Sequence, residues 1–584
     1  MSFIPQKLRI PKRKRTEIEE LFRRDGALTA RKLREYVPTM LVNNLSVLLL
    51  ITVDGLVLGN LVGPEALSAV NVFYPATVLI GVVAALVSAG SATSIAVAMG
   101  KNDYDELRRA KAAIKRVMVV AALAMAVIQI PLVTGIIASY RLDDYMTALI
   151  WQYAFCIMIA TPFDLISTVG TLQLQTAGKM RWLMSLSIME GIVNLALDLL
   201  FVGPFNMGAM GAGLGTACSV VLRCTVTVIV LAKTTDIYNT GGVKADAAAY
   251  KDLISCGMPE AVNAFMLALQ NYLVMQIVIM VFGADGGVIK GVCVFCFSAA
   301  NVVINGIQGS MRPLVGIIVG AEDWDGLRIL FRQCVKLLVA TVGIMAVVVI
   351  AFPGWFYTLH GVHTIPAAGE LSLRLFALHF VFKGCNTLFR LYYSNRKDPK
   401  FATGLTVVGN ATLPLFAFLL SMAFPPAFIW LGYLLTETVI LVLNLWRYKR
   451  WVLRDLDDEE QLVGAVSLSV SPANAVEASR EIRRFADEKG VLQRVSYRVA
   501  LCMEEMVAYA AASQKRGDVS MQANVRFKRD SATFTIFDDG ECIALDEDRE
   551  HQELVTNNYD LVKRIAKEVN YQYILDLNYT VMHF

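Results

Sequence analysis

Residues 46–63 read SVLLLITVDGLVLGNLVG. The run has the length and apolar character of a helix inside a bilayer, except for Asp54 near its middle. A carboxylate at that depth costs roughly 2.5–3.5 kcal/mol on insertion scales. A chain that keeps one there either ties it to neighbouring helices or uses it, and the surrounding sequence bears on which.

Comparable uncharged runs recur outward from this one, such as Leu67 to Gly100 and Val117 to Tyr140. Each exceeds the ~20 apolar residues that a spanning helix needs. The 584 residues are 56% hydrophobic, and the mean hydropathy is +0.52, well above soluble norms. From about Arg447 onward charge is frequent and no spanning run remains. A membrane domain followed by a soluble tail is expected. The first residues, MSFIPQKLRIPKRKR, are basic but lack the apolar core and cleavage site of a signal peptide. Cys293 and Cys296 form the one close cysteine pair; inside an apolar run they read as small packing residues, and no metal site is expected.

About twelve spans can be placed, at 38–62, 68–98, 117–140, 146–169, 182–202, 208–232, 255–282, 288–319, 333–357, 367–392, 402–424 and 427–446. Lysine and arginine occupy alternate loops, including GKNDYDELRRAKAAIKR, TAGKMRW, AEDWDGLRILFRQCVK and SNRKDPK. The positive-inside rule then puts both termini in the cytoplasm of a cell (inner or plasma) membrane. The chain also repeats. MGKNDYDELRRA (Met99 to Ala110) aligns with VGAEDWDGLRIL (Val319 to Leu330), pairing Gly100 with Gly320, Asp103 with Asp323 and Arg108 with Arg328. Pro38, at the start of the first span, has its counterpart in Pro259 near the start of the seventh. Six spans per repeat keep both halves in one orientation, giving a parallel two-lobed arrangement. The expected fold class is an all-α polytopic membrane bundle of about twelve transmembrane helices in two pseudo-symmetric six-helix lobes, with a C-terminal cytoplasmic α/β sandwich domain. Expected boundaries are a basic segment 1–36, an N-lobe 37–235, a linker 236–254, a C-lobe 255–450, a linker 451–465 and the tail domain 466–584.

Polar residues inside the spans carry the functional signal. Asn43 and Asp54 are three helical turns apart on one face. Glu190, Asn194 and Asp198 are spaced by four along one slowly drifting stripe of the fifth span, and Thr216 lies in the sixth. Ionisable groups in spans mark ion or proton routes, and a buried carboxylate with a raised pKa can exchange a proton near neutral pH. The competing reading is helix-packing glue. Asp164 and Glu437 are further candidates, with Lys383 and Arg390 as counter-ions or as contacts to an anionic substrate.

These residues carry a resemblance. PTMLVNNLSVLLLITVDGLVLGNLVGPEALSAVNVFYP, GIVNLALDLLFVGPFNMGAMGAGLGTA and GSMRPLVGIIVGAEDWDGLR resemble the MATE family of multidrug and toxic compound extrusion transporters over roughly residues 30–450. The resemblance implies a proton or sodium site at Asp54, Asn194, Asp198 and Thr216, with Pro38 as the bend point of the first helix. It implies antiport, in which cation entry drives export of an amphipathic organic compound. Some members carry a seventh-span glutamate; here Glu260 sits beside Pro259, near the membrane edge, and the deeper positions are apolar or amide. Cation chemistry is therefore expected in the N-lobe alone, with H⁺ ranked above Na⁺.

The tail alternates helix and strand signals. Ser471, Pro472 and Gly490 bracket a first helix, VSYRVALCMEEMVAYAAAS reads as a second, and QANVRFKRDSATFTIFDDG reads as a hairpin. A last helix and two strands follow. The order resembles the GHKL (Bergerat) ATPase domain of the anti-sigma-factor serine-kinase type, which implies nucleotide contacts at Glu505, Asp538 and Gly540. Three departures count against ordinary ATP binding: Tyr509 where an Asn is expected, Cys542 for a glycine, and a lid stretch, NNYD, with no glycine for phosphate approach. The expected tail is a degenerate module that regulates or binds a cytoplasmic protein. No resident cofactor, catalytic residue or nucleic-acid partner is expected; the partners are an amphipathic substrate and membrane lipid. Two rivals remain: a lipid or lipid-linked-glycan flippase of the same fold, and a membrane-anchored GHKL-type kinase.

Overall fold

The computed structural model describes residues 18, 21, 22, 26–57, 64–101, 103–140, 144–235, 242–283, 285–360, 362, 364–366, 368–395, 398–458, 462–512, 521–540, 553–575 and 577–584. The side chains of 51–57, 64–72, 74, 75, 104, 139, 140, 451–458, 512 and 553–558 lie outside the description. Asp54, from which the sequence reading began, is among them: its backbone is helical and nothing further is described.

The first half comprises α1 (Ala27–Val57), α2 (Pro64–Lys101), α3 (Tyr104–Tyr140), α4 (Asp144–Thr176), α5 (Met180–Val202) and α6 (Gly208–Thr234). The second comprises α7 (Ala247–Phe282), α8 (Asp285–Gly320), α9 (Trp324–Ala351), the short α10 (Pro353–Leu359), α11 (Gly369–Ala377), α12 (Phe380–Asn395), α13 (Pro399–Ala423) and α14 (Leu431–Asp458). Among the described residues ten helices are long and apolar enough to cross a membrane. Neither α1 nor α11 and α12 are among those ten. The expected tenth span is broken at Leu378 and His379, where the His379 ring takes the Phe376 carbonyl at 2.5 Å. Leu123 (65%) and Val127 (68%) of α3, and Ile344 (67%) and Val347 (65%) of α9, stay exposed at helical spacing. Such apolar stripes suit lipid rather than water.

The two halves meet along α1, α2, α7 and α8, and glycines allow the approach. A Cβ on Gly90 would lie 2.2 Å from the Leu253 carbonyl oxygen, and one on Gly257 would lie 2.0 Å from that of Leu86. The repeat-related Gly100 and Gly320 also touch, with a Cβ on Gly100 falling 2.8 Å from the Gly320 Cα. Ten residues separate Gly90 from Gly100, so the seal is ~15 Å deep at the end of the bundle that carries the basic loops. Gly257→Val forces a branched side chain onto a backbone carbonyl and is expected to cost about 1–3 kcal/mol. Its signature is faster labelling of the neighbouring Cys256, now 8% exposed, by a water-soluble thiol reagent. Unchanged labelling and melting would show that the halves do not rest on this contact.

The tail contains β1 (Gly464–Val470), α15 (Ala475–Glu488), α16 (Gln493–Ala512), β2 (Met521–Phe527), β3 (Ala532–Asp538), α17 (Glu553–Ile565), β4 (Glu568–Ile574) and β5 (Leu577–His583). Every strand pair is antiparallel, in the order β1-β2-β3-β5-β4. Helix α14 runs on through Asp458 and β1 begins at Gly464, so the stretch expected as a linker is largely structured.

Both faces of this sheet are covered. Phe534, Ile536 and Met582 pack with Ile482, Val499, Met503 and Val562 of the tail helices. The alternate residues Phe537, Leu577, Tyr579 and Val581 share a core with Leu28 and Leu33 of α1 and Ile317 and Ile318 of α8. The Tyr579 hydroxyl donates to the Gly100 carbonyl at 2.6 Å, and the Tyr36 hydroxyl to that of Leu575 at 3.3 Å. Ion pairs Arg31–Asp539 and Arg526–Glu322 flank the contact. The tail thus touches both halves at their sealed end. The N-terminal segment joins it: Ile18 and Phe22 enter the tail core, and the Ser469 amide donates to the Phe22 carbonyl.

Candidate functional site

The spacing of four in α5 is realised as its buried stripe: Glu190 is 4% exposed, Asn194 1% and Asp198 1%. The stripe faces α4 and α6. Asn194 Nδ2 donates to Thr216 Oγ1 at 3.4 Å, while Asn194 Oδ1 is buried and accepts no hydrogen bond. Gly215 lies directly against Asp198, since a Cβ there would fall 2.0 Å from Asp198 Oδ1. Only a glycine on α6 leaves room for that carboxylate. The structure therefore brings Asn194, Asp198 and Thr216 together as one patch of oxygen donors, suited to a proton or a small hard cation.

On α1, Asn43 Oδ1 accepts from Ser187 Oγ of α5 at 2.6 Å, and Asn44 Nδ2 donates to the Val302 carbonyl of α8. Helix α1 continues through Pro38, which removes one main-chain hydrogen bond there.

Asp164 and Glu190 belong to a separate cluster. Arg223 of α6 donates to Glu190 at 2.7 Å, to Asp164 at 2.5 Å and to Ser167 Oγ at 2.7 Å. Lys383 and Arg390 are not the counter-ions of these two carboxylates, because both sit in the second half. Lys383 pairs with Glu437 at 2.9 Å, as one expected alternative had it, and Arg390 pairs with Glu260 at 3.3 Å. Sequence reasoning passed over Arg223, although it is the sole Lys or Arg inside the six spans expected in the first half. Asn386 and Asn444 extend the Glu437 pair into a buried chain, with Asn386 Nδ2 donating to Glu437 Oε2 at 2.7 Å and Asn444 Nδ2 to Asn386 Oδ1 at 3.0 Å. The second half is thus richer in buried polar chemistry than its opening helix suggests, but each of these two carboxylates is held by a cation.

Cys293 (0%) and Cys296 (3%) are buried in the second-half core. No group of three or more His, Cys, Asp or Glu side chains suited to a metal occurs among the described residues.

In the tail, Asp538 faces the helices. Its Oδ1 accepts from Asn578 Nδ2 at 2.6 Å and from the Gly540 amide at 3.0 Å. Glu505 lies half-buried on α16. Tyr509, at the position where an amide is expected, stacks on Tyr559 of α17 with ring centroids 5.4 Å apart. Burial pushes the Asp538 carboxyl up to about 6, against the opposing pull of the Asn578 and Gly540 hydrogen bonds. The folded tail therefore holds this proton more tightly than the unfolded chain, whose aspartates titrate near 3.9. The penalty is absent below pH ~4, grows through the window between ~4 and ~6, and is complete above it, at roughly 2–3 kcal/mol. Asp538→Asn keeps Oδ1 as acceptor and should remove the penalty. Labelling of the buried Cys502 in the full chain should then be slower in the variant than in the parent at pH 7.5, and equal at pH 4. Equal labelling at both would contradict the burial argument.

Residues 38–200 match the MatE family. No curated protein sequence matches the chain. Among solved structures, an outward-facing multidrug resistance MATE family transporter of the MOP superfamily superposes with a TM-score of 0.68 at 17% identity, covering 76% of this chain and 100% of its own. A MATE crystal structure in a bent conformation gives 0.69 at 16%, with 76% and 100% covered. A MOP superfamily transporter from Pyrococcus furiosus Vc1, whose description reads "reverse polarity of binding pocket suggests different function", gives 0.67 at 16%, with 76% and 99% covered. Identities this low speak for the fold. Fold and partial family match together describe a multi-pass membrane protein with the fold of MATE transporters. The family match is confined to residues 38–200, and the likeness of fold extends over about three quarters of the chain.

Proposed function

We propose that this protein is a cation-coupled antiporter of twelve spans in the cell membrane that exports amphipathic organic compounds by alternating access. In this reading the coupling site lies in the first half, and the tail gates transport from the cytoplasm. H⁺ is the preferred coupling ion, since the patch pairs carboxylate and amide oxygens without a closed cage of ligands.

One contact carries the reading. Helices α1 and α5 both start from basic loops and therefore run parallel, and Asn43 meets Ser187 between them. Three turns further along each helix come positions 54 and 198, so regular helical pitch carries the two main-chain positions the same distance from that contact. Two carboxylates brought close repel when both are ionised, and a proton or Na⁺ between them relieves the repulsion. Binding of the cation thus changes how closely α1 and α5 pack, which couples the ion to the lobes. Efflux from inverted vesicles tests it: Asp54→Asn should lose gradient-driven transport, and unchanged transport would refute the site.

The tail's role follows from where it docks. By the positive-inside rule the sealed end is cytoplasmic. A domain bonded to Gly100 in one half and Glu322 in the other resists their separation, and so favours the state closed to the cytoplasm. Glu322→Arg should loosen the clamp and raise the export rate at least about twofold, a shift well under 1 kcal/mol in the gating equilibrium. Arg526→Glu in the same chain should restore the original rate. A rate indifferent to both changes would remove the clamp from the account.

Export of a lipid or lipid-linked glycan by the same fold is the second reading. The observation favouring it is the surplus of cations in the second half, where Lys383, Arg390 and Arg312 stand against Glu260 and Glu437.

A further inference from the structure

The surplus charge has an address. Arg390 gives Nε to Glu260 at 3.3 Å and Nη1 to Asn263 Oδ1 at 3.0 Å, and Lys383 is engaged by Glu437. Arg312 of α8 stands within electrostatic reach of Glu260 and Arg390. It is half-buried, and among the described residues it forms no hydrogen bond or ion pair. One turn away on the same helical face, Gln308 is only 7% exposed and its Nε2 donates to nothing. Two unused donors therefore lie together inside a membrane domain, and the single Glu260 carboxylate stands against both Arg312 and Arg390, which leaves one positive charge in excess.

Their level in the bundle is also defined. Arg312 is one turn beyond Gly316, whose added Cβ would lie 2.2 Å from the Ala96 Cβ. Glu260 is one turn beyond Gly257, which is pressed against Leu86. Both residues therefore sit one helical turn past the seal between the halves, on the side away from the basic loops.

We propose that Arg312 and Gln308, flanked by Arg390 and Asn263, bind an anionic group of the transported compound, a carboxylate or a phosphate. A guanidinium fork takes two oxygens of either group, and an amide N–H adds a third donor. The Glu260–Arg390 pair beside it favours an anion of low charge, since Glu260 repels a second negative oxygen. This names the cargo within the export reading: an amphiphile with an acidic head, whose proton-coupled partner site remains in the other lobe.

The test is equilibrium binding to the full chain in neutral detergent, with no ion gradient, so that failure of coupling at Asp198 does not affect it. Dodecanoate, dodecyl phosphate and dodecyltrimethylammonium share one tail and differ in the head. Titration against intrinsic tryptophan fluorescence should give at least about tenfold tighter binding of both anions than of the cation. Arg312→Gln should abolish that preference, Arg312→Lys should keep part of it, and Asp198→Asn should leave it intact. Competition separates the sources. Loss of dodecanoate binding in nanodiscs of phosphatidylglycerol, but not phosphatidylcholine, assigns the site to a lipid headgroup; retention in both assigns it to a soluble organic anion. Equal binding of the three probes by the parent chain, or an undiminished preference in folded Arg312→Gln, would overturn the proposal. If Arg312→Gln does not fold, an Arg312→Lys variant with parental affinity for dodecyl phosphate would overturn it equally.

Discussion

In Asp198→Asn, gradient-driven export from reconstituted vesicles falls to the level of protein-free vesicles, while gradient-free exchange of substrate across the membrane persists. The split follows from where Asp198 sits. It is 1% exposed on α5, pressed against Gly215 of α6 and one turn from Asn194. Asparagine has the same shape, so packing survives, but it cannot take up or release a proton. On the proposed antiport reading the lobes would keep their two arrangements and lose the ion that biases them. Loss of exchange along with driven transport would make Asp198 a structural residue. Asn194→Ala is a milder case, because it removes an oxygen donor without removing a charge.

Arg223→Ala should destabilise the membrane domain by about 3–5 kcal/mol, the range for breaking a buried ion pair from one side. The loss falls mainly on Glu190, whose side chain is 5% exposed. Asp164 is 45% exposed and contributes little once screened. Arg223→Ala combined with Glu190→Gln should recover most of the loss, since no buried charge is then left unanswered. Thermal unfolding of Arg223→Ala, Glu190→Gln and the double variant in one detergent decides the matter. Additive losses would mean that the pair does not act as a pair. The account also requires Arg223→Ala to leave ion coupling intact in whatever fraction folds, because Arg223 serves the Asp164–Glu190 cluster and not the Asn194–Asp198 patch.

Much of this was legible in the residues. The spacing of Glu190, Asn194 and Asp198 marks a single helical stripe, and the stripe is the buried face of α5. Runs of apolar residues marked the ten helices that are long and apolar enough to cross a membrane among the described residues. The tenth expected span failed as one helix because His379 competes for a main-chain carbonyl, an effect of one side chain that hydropathy does not carry. Gly100 and Gly320 were visible as repeat partners but not as a contact, since lobe packing depends on where two separate helices cross.

The tail gives the clearest limit. In β5 the residues Leu577, Tyr579 and Val581 alternate with Asn578 and Thr580, which marks a buried face. The pattern cannot say what buries it. The tail helices cover the face bearing Asp538 and Asn578, and the apolar alternates lie on the membrane domain. Arg223 was missed for a different reason. Its pairing with Asp164 and Glu190 joins three helices, and spacing within any one span does not show it.

The most direct measurement is proton uptake by the purified protein, followed with a pH indicator as the solution is stepped from pH 8 to pH 6. The account predicts uptake by the parent chain, beyond that of Asp538 in the tail, that is reduced in Asp54→Asn and in Asp198→Asn and undiminished in Glu437→Gln. Equal uptake by all four proteins, or a loss confined to Glu437→Gln, would contradict a coupling site in the first half.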